Sequence, residues 1–333
     1  KQFIDILGTS KSLLQQTYER SKEVCPEKNI FIVTNADYQS LVMEQLEGIE
    51  PSQILLEPGR RNTAPCIAYA AFRIKAQNPK ASMVVAPSDH LILKDREYVD
   101  LVNKALDEVE KNDSLITLGI SPTRPDTGYG YIQFEEIEGD GGIHKVKSFT
   151  EKPDLAMAKQ LVKSGEFLWN AGIFIWSVSG ILTAFEKHMP EMYQLFEEGA
   201  HEFNTPNEPK FIETAYMQCK SISIDYGVME KAKNVFTIAA DIGWSDLGTW
   251  GSLYSYSEKD EEGHVIQGKN VLTYDSKNCI VNVPKNKLVV IQGMKDMIVV
   301  ENDDILLICR QSDEQQIKRI VNDVKATKGE KFV

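Results

Sequence analysis

Two aspartates stand where apolar runs break abruptly into polar residues. Met83-Val84-Val85-Ala86 ends in Pro87-Ser88-Asp89-His90, and the run 235–239 leads through Asp241-Ile242-Gly243 into Trp244-Ser245-Asp246. An apolar, β-branched run such as the first predicts a strand buried on both faces. In an open α/β sheet, ligands collect in the crevice beyond the carboxyl ends of the strands. Asp89 also reads as an ordinary loop start, and Ser245 or Asp246 as the cap of a helix containing Trp250. As a pair at strand ends, the two carboxylates offer hard oxygen ligands suited to Mg2+.

Four further stretches carry polar chemistry. In Glu57-Pro58-Gly59-Arg60-Arg61-Asn62-Thr63-Ala64-Pro65, Asn62 or Thr63 can cap a helix, and Pro65 is tolerated in its first turn. Two arginines at that point oppose the helix macrodipole, which a bound anion or nucleotide would offset. Asp126-Thr127-Gly128-Tyr129-Gly130-Tyr131-Ile132 lets backbone N–H groups approach a ligand closely, or simply makes a turn. Phe149-Thr150-Glu151-Lys152-Pro153 ends a strand with adjacent opposite charges. Neighbours on a regular strand face opposite ways, so Glu151 and Lys152 share a ligand only if the geometry opens before Pro153; otherwise they form a surface ion pair. Trp169-Asn170-Ala171-Gly172 sets an amide before a buried strand, or forms a turn.

Alternating elements must position these residues. Periodicity predicts helices over 11–24, 36–46, 63–75 and around 99–109, with strands at 29–34, 53–57, 83–86 and 114–118. Strand–helix–strand repeated this way means right-handed crossovers and a mainly parallel sheet. The middle is mixed: strands at 131–134, 145–150, 171–176 and 235–239, and helices over 154–163, 181–188, 191–198 and 208–217. Beyond 263 come short β-rich runs whose turns begin near Pro284, Gly293 and Asn302, nine residues apart. That pitch suggests a sandwich, barrel or β-solenoid fragment, closed by an amphipathic helix over 313–325. The expected domains are 1–258 and 259–333.

Composition narrows the classes. A net charge of −12 argues against nonspecific binding to nucleic acid or an anionic membrane. No apolar run is long enough to span a bilayer, and no basic start precedes an apolar stretch. Five dispersed cysteines without a C-x-x-C pair fit a reducing cytoplasm, and the five histidines lack i, i+4 spacing for a metal.

The ordered motifs resemble those of the mannose-1-phosphate guanylyltransferases, a family of sugar nucleotidyltransferases. The resemblance rests on Lys1-Gln2-Phe3, Ser12-Leu13-Leu14-Gln15, E-P-x-x-R-N-T-A-P at 57–65, A-P-S-D-H at 86–90 and T-G-Y-G-Y-I at 127–132. It continues through F-x-E-K-P at 149–153, 169–174, S-I-D-Y-x-V-M-E-K at 223–231 and 244–250, covering nearly the whole chain. It implies an α/β fold: a Rossmann-like nucleotidyltransferase domain with a C-terminal, left-handed β-helix-like domain. The family reaction joins GTP and mannose 1-phosphate into GDP-mannose and pyrophosphate. Carried onto this chain, it implies that Asp89 and Asp246 hold Mg2+. Pro58, Arg61, Asn62 and Thr63 would line the guanine pocket, with Ser88 and Asp89 also on the nucleotide. Gly130, Glu151 and Asn170 would address mannose hydroxyls, Lys152 the sugar phosphate, and Lys1 the triphosphate. Asp225 falls in a family motif without an assigned contact. The family's glycine-rich G-x-G-x-R loop and first strand are expected before Lys1. Alternative readings are another hexose-1-phosphate nucleotidyltransferase, or a non-catalytic sugar-nucleotide-binding subunit. The β-rich tail is a candidate homodimer contact.

Overall fold

A computed structural model describes residues 2–5, 9–135, 142–302 and 304–332. The chain divides into two units, Lys1–Trp244 and Ser245–Val333. In the first, α1 (Leu13–Lys22) starts from a reciprocal cap: Ser12 Oγ accepts from Gln15 N–H, and Gln15 Oε1 accepts from Ser12 N–H. β1 (Ile32–Asn35) and β2 (Ile54–Glu57) pair in parallel across α2 (Gln39–Gln45). Then follow α3 (Thr63–Gln77), β3 (Ser82–Val85), α4 (Asp95–Val109), β4 (Leu115–Ile120), β5 (Gly130–Glu135) and β6 (His144–Glu151). The unit finishes with α5 (Leu155–Ser164), β7 (Phe167–Ser177), α6 (Val178–His188), α7 (Pro190–Glu198), α8 (Glu208–Gln218) and β8 (Val235–Ala239).

Six of these strands form one sheet in the order β3-β7-β4-β8-β6-β5, and β5 also pairs with β7. β4 and β8 run parallel, as strand–helix alternation predicts. β7 runs against β3, β4 and β5, and β6 against β5 and β8. The β5–β6 pair interrupts the alternation, so the chain re-enters the sheet in the opposite direction. Along β7, Phe174 and Trp176 join a core with α3, α6 and α7. Ala171, Ile173 and Ile175 join a second core with α4 and α5. That alternation shows a sheet covered on both faces. The expectation of full burial fails for 83–85: Met83 is buried, but Val84 and Val85 are half-exposed, because β3 is the edge strand of this sheet.

The second unit begins with α9 (Trp250–Tyr256) and β9 (Val265–Gln267), followed by β10 (Asn270–Tyr274), β11 (Ile280–Asn282) and β12 (Leu288–Gln292). β13 (Met297–Asn302), β14 (Ile305–Arg310) and α10 (Ile317–Lys328) complete it. Ile280 pairs with Val265 on one side and Ile298 on the other, all in parallel, while Asn270 pairs with Leu288 in a second parallel ladder. Two ladders taken alternately make a solenoid, so each nine-residue interval is half a coil. Cys279, Val281, Val283, Ile291 and Val299 fill its interior. β14 turns back antiparallel to β13. Among the described residues, no helix is long and apolar enough to cross a membrane.

One buried ion pair fixes α8 against α3. The Glu208 carboxylate accepts from Tyr69 OH at 2.8 Å, from Asn204 N–H at 2.6 Å, and from Arg73. Glu208→Ala strands the largely buried Arg73 cation. It is expected to lower unfolding free energy by about 3–5 kcal/mol, read by urea denaturation; a loss within error would refute the role.

Candidate active site

Four expected sugar-site residues, Gly130, Glu151, Lys152 and Asn170, lie close together. Gly130 opens β5 directly opposite Glu151, the last residue of β6. A Cβ at Gly130 would collide with Glu151 Oε2 and stand 3.4 Å from Asn170 Cβ, so only glycine leaves that carboxylate in place. Lys152 leaves the strand with φ of 48°, and its N–H donates to Tyr129 O at 3.2 Å. This left-handed turn swings Nζ back to 2.6 Å from Glu151 Oε1, so opposite pleats no longer separate the two charges. Glu151 is almost buried, and Lys152 is 58% exposed in its side chain.

Asn170, early in β7, accepts from Thr117 Oγ1 at 2.9 Å and from Gly172 N–H at 3.2 Å, and donates to Asp225 Oδ1 at 2.9 Å. Asp225 begins one π-helical turn, Asp225–Met229, a local widening that often marks functional sites. Burial and the neighbouring Glu151 charge push its carboxyl up to about 6, against smaller opposing pulls from Asn170 and Lys152. Sequence alone left Asp225 without a role; its signal was an acid between isoleucine and an otherwise apolar turn. Thr117 gave no signal within its apolar strand.

The residues expected to meet the nucleotide lie beyond β2 and β3. Neither Asn62 nor Thr63 caps α3 with its side chain. Asn62 has φ of 64°, and its amide donates to Ser221 Oγ at 3.0 Å. Thr63 Oγ1 instead accepts from Ile224 N–H at 2.9 Å, while Ala64 N–H donates to Ile222 O and Ile222 N–H to Arg61 O. The helix start is thus completed by the distant segment that leads into Asp225. Pro58 is exposed and Arg61 half-buried in the same turn. Arg60 reaches Tyr38 OH at 3.3 Å. Beneath the turn, Glu57 accepts from Tyr216 OH at 3.0 Å, and burial raises its carboxyl.

Ser88 and Asp89 are half-buried in the turn after β3, close to the Asn170 segment: a Cβ on Gly172 would touch Pro87 at 3.6 Å. His90 Nδ1 accepts from Trp244 Nε1 at 3.2 Å, which places the proton of a neutral ring on Nε2, 3.8 Å from Asp89 Oδ1. Trp244 also meets Tyr129 edge-on, as does Trp169. Asp246 belongs to the second unit. Its Oδ1 accepts from Gly248 N–H at 2.9 Å in a tight turn, and Thr249, rather than Ser245 or Asp246, caps α9. Lys1 lies outside the described residues. Among those described, no group of three or more His, Cys, Asp and Glu side chains is arranged to hold a metal.

A nucleotidyl transferase family model matches residues 1–263, and a MannoseP isomerase/GMP-like β-helix domain model matches 269–324. The chain belongs to the nucleotidyl transferase family. Within that family its relatives include xanthan biosynthesis protein XanB of Xanthomonas campestris pv. campestris (strain B100), 36% identical over 98% of this chain and 68% of the relative. Mannose-1-phosphate guanylyltransferase 2 of Escherichia coli O157:H7 is 34% identical over 100% of this chain and 70% of the relative. The crystal structure of mannose-1-phosphate geranyltransferase from Thermus thermophilus matches with a TM-score of 0.83. It is 26% identical over 96% of this chain and 91% of that one. The fold is therefore a Rossmann-like nucleotidyltransferase domain followed by a β-helix domain. Nucleotidyltransferases of this kind use a divalent metal ion.

The Asp225 carboxyl gives the site a pH signature. Its proton is held to about 6 in the native state, against an ordinary 3.8. Between those values the native state binds more protons than the unfolded one, so stability falls as pH rises through the window. Asp225→Asn is expected to be more stable than the parent at pH 7, by on the order of 1–3 kcal/mol. The advantage should vanish below about pH 4. Urea denaturation across pH checks this, and equal or lower stability at pH 7 would refute it.

Proposed function

We propose that the chain transfers GMP from GTP to mannose 1-phosphate, giving GDP-mannose and pyrophosphate. A phosphate oxygen of the sugar phosphate attacks the α-phosphorus, and the bond to the β-phosphate oxygen breaks. That nucleophile is already ionised at neutral pH, so no protein base is needed, and catalysis is in-line positioning with charge neutralisation. The observation that carries the reading is the joining of Glu151, Lys152 and Asn170 in one cluster, a carboxylate, an ammonium and an amide. Such a set suits a hydroxyl-rich ligand bearing one phosphate.

In this reading Glu151 and Asn170 hold the mannose hydroxyls, and Gly130 leaves room for the Glu151 carboxylate. Lys152 pairs with the sugar phosphate, exchanging its bond to Glu151 for one to the incoming anion. Pro58, Arg61, Asn62 and Thr63 line the guanine site, Ser88 and Asp89 meet the nucleotide, and Lys1 serves the triphosphate. Asp89 and Asp246 are the proposed ligands of Mg2+, which when bound supplies charge neutralisation at the phosphates. The proposed setting is cytoplasmic, in keeping with five unpaired cysteines. A homodimer through the second unit is supported by exposed Leu272, Leu288 and Val290 on its two-stranded ladder.

Pyrophosphate release tests the reading. GTP with mannose 1-phosphate should turn over well above GTP with other hexose 1-phosphates, and above UTP or dTTP with mannose 1-phosphate. Equal use of UTP would sink the guanylyl assignment, and ligand binding without any release would leave a non-catalytic subunit. Lys152→Ala should raise KM for mannose 1-phosphate about 10- to 100-fold, the worth of one charge-assisted hydrogen bond of about 1.5–3 kcal/mol. KM for GTP should hardly move, and an unchanged sugar-phosphate KM would count against this role.

A further inference from the structure

Asn170 has little freedom in how it meets a ligand. The Gly172 N–H can only donate, so the Asn170 atom 3.2 Å from it is the carbonyl oxygen. Thr117 Oγ1 lies 2.9 Å from the same oxygen and 3.1 Å from Ile173 O, so its single hydrogen is shared between these two acceptors. The amide nitrogen is thus turned toward Asp225, with one hydrogen committed to Asp225 Oδ1. Asn170 retains a donor.

Asp225 itself sits beside a second carboxylate. The charged groups facing it are Glu151 at the end of β6 and Lys152 just beyond it. Its own turn adds Tyr226, which with Asp225 acts on Lys152, and Glu230, which faces Glu151. From β7 and β4 it meets the uncharged Asn170 and, through it, Thr117. Asp225, Glu151 and Lys152 by themselves carry one excess negative charge, to which Glu230 adds, although this corner is read as the seat of an anionic sugar phosphate. Carboxylate oxygens held there are satisfied by ligand groups that donate, and a hexose offers only hydroxyls for that purpose.

We propose that Asp225 is a hexose-binding residue, its ionised carboxylate accepting a sugar hydroxyl beside Glu151 while the Asn170 amide contributes a donor. The proposal rests on the guanylyltransferase reading and deepens its sugar site. The raised carboxyl described above fits this assignment. A group whose charge costs stability in the empty protein is retained where a ligand uses that charge.

The test is calorimetric binding of GDP-mannose to the full chain at pH 7.5 and pH 5.0. GDP-mannose is a suitable probe because its disubstituted pyrophosphate has no second ionisation near pH 6, unlike a phosphate monoester. The parent should bind about tenfold more weakly at pH 5.0. Asp225→Asn should bind about tenfold more weakly than the parent at pH 7.5. It should show little further loss at pH 5.0, with GTP affinity intact. His90 is retained in the variant, so its titration cannot mimic the difference. Unchanged GDP-mannose affinity in the variant overturns the Asp225 assignment alone. A variant that keeps the parental pH slope overturns the ionised-acceptor role. Loss of GTP and GDP-mannose binding together, with lowered stability, would make Asp225 structural and overturn the proposal. A parent that binds GTP but never GDP-mannose overturns the functional reading, and this assignment with it.

Discussion

Strand β7 is hydrogen-bonded to three others, running antiparallel between β3 and β4 and reaching β5 with its first residues. That arrangement tolerates almost no side chain at Gly119 of β4, where a Cβ would come within 2.6 Å of Leu168 and 2.9 Å of Thr237. The register slips between Thr117 and Gly119, and this irregularity sits directly opposite the Asn170 segment. Thr117 is thereby set to hold Asn170, and Asn170 to hold Asp225. Positions on a sheet fastened on several sides are held more tightly than positions on a free loop. The cluster of Gly130, Glu151, Lys152 and Asn170 is held by that ladder.

The turn before α3 is built differently. No side chain of its own caps α3; segment 221–224 lends the missing backbone and side-chain partners. The same segment runs on into Asp225, so the start of α3 and the π-helical turn are parts of one connection. Four hydrogen bonds and a few residues of chain therefore connect the turn around Asn62 to Asp225. The cluster also keeps two acids close together, an arrangement that favours ligand chemistry over the stability of the empty protein.

Much of this was legible in the sequence. Periodicity located nearly every strand and helix, because both cores are strongly patterned and the turns carry glycine, proline or asparagine. The motifs at 130, 151–152 and 170 were recognisable as polar residues at strand ends. Direction was harder. An apolar run has the same composition whichever way it enters a sheet, so the reversal of β7 left no mark. Lys152 was ambiguous because a positive φ at a non-glycine residue is imposed by its surroundings. Asp225 and Thr117 stayed without a role for a related reason. Their meaning lies in contacts spanning 55 and 53 residues of chain, which no local pattern encodes.

The reversal of β14 against β13 has its own consequence. A coil of parallel strands ends in an open row of N–H and C=O groups, spaced to receive another parallel strand from any neighbouring molecule. Left open, that end would be a growth point, and identical domains could add to it indefinitely, as in a cross-β fibre. A strand laid antiparallel replaces that row with one of alternating close and wide spacing, which no longer matches the coil beneath. The last strand thus covers the β13 edge of one ladder with a row that does not continue the parallel coil.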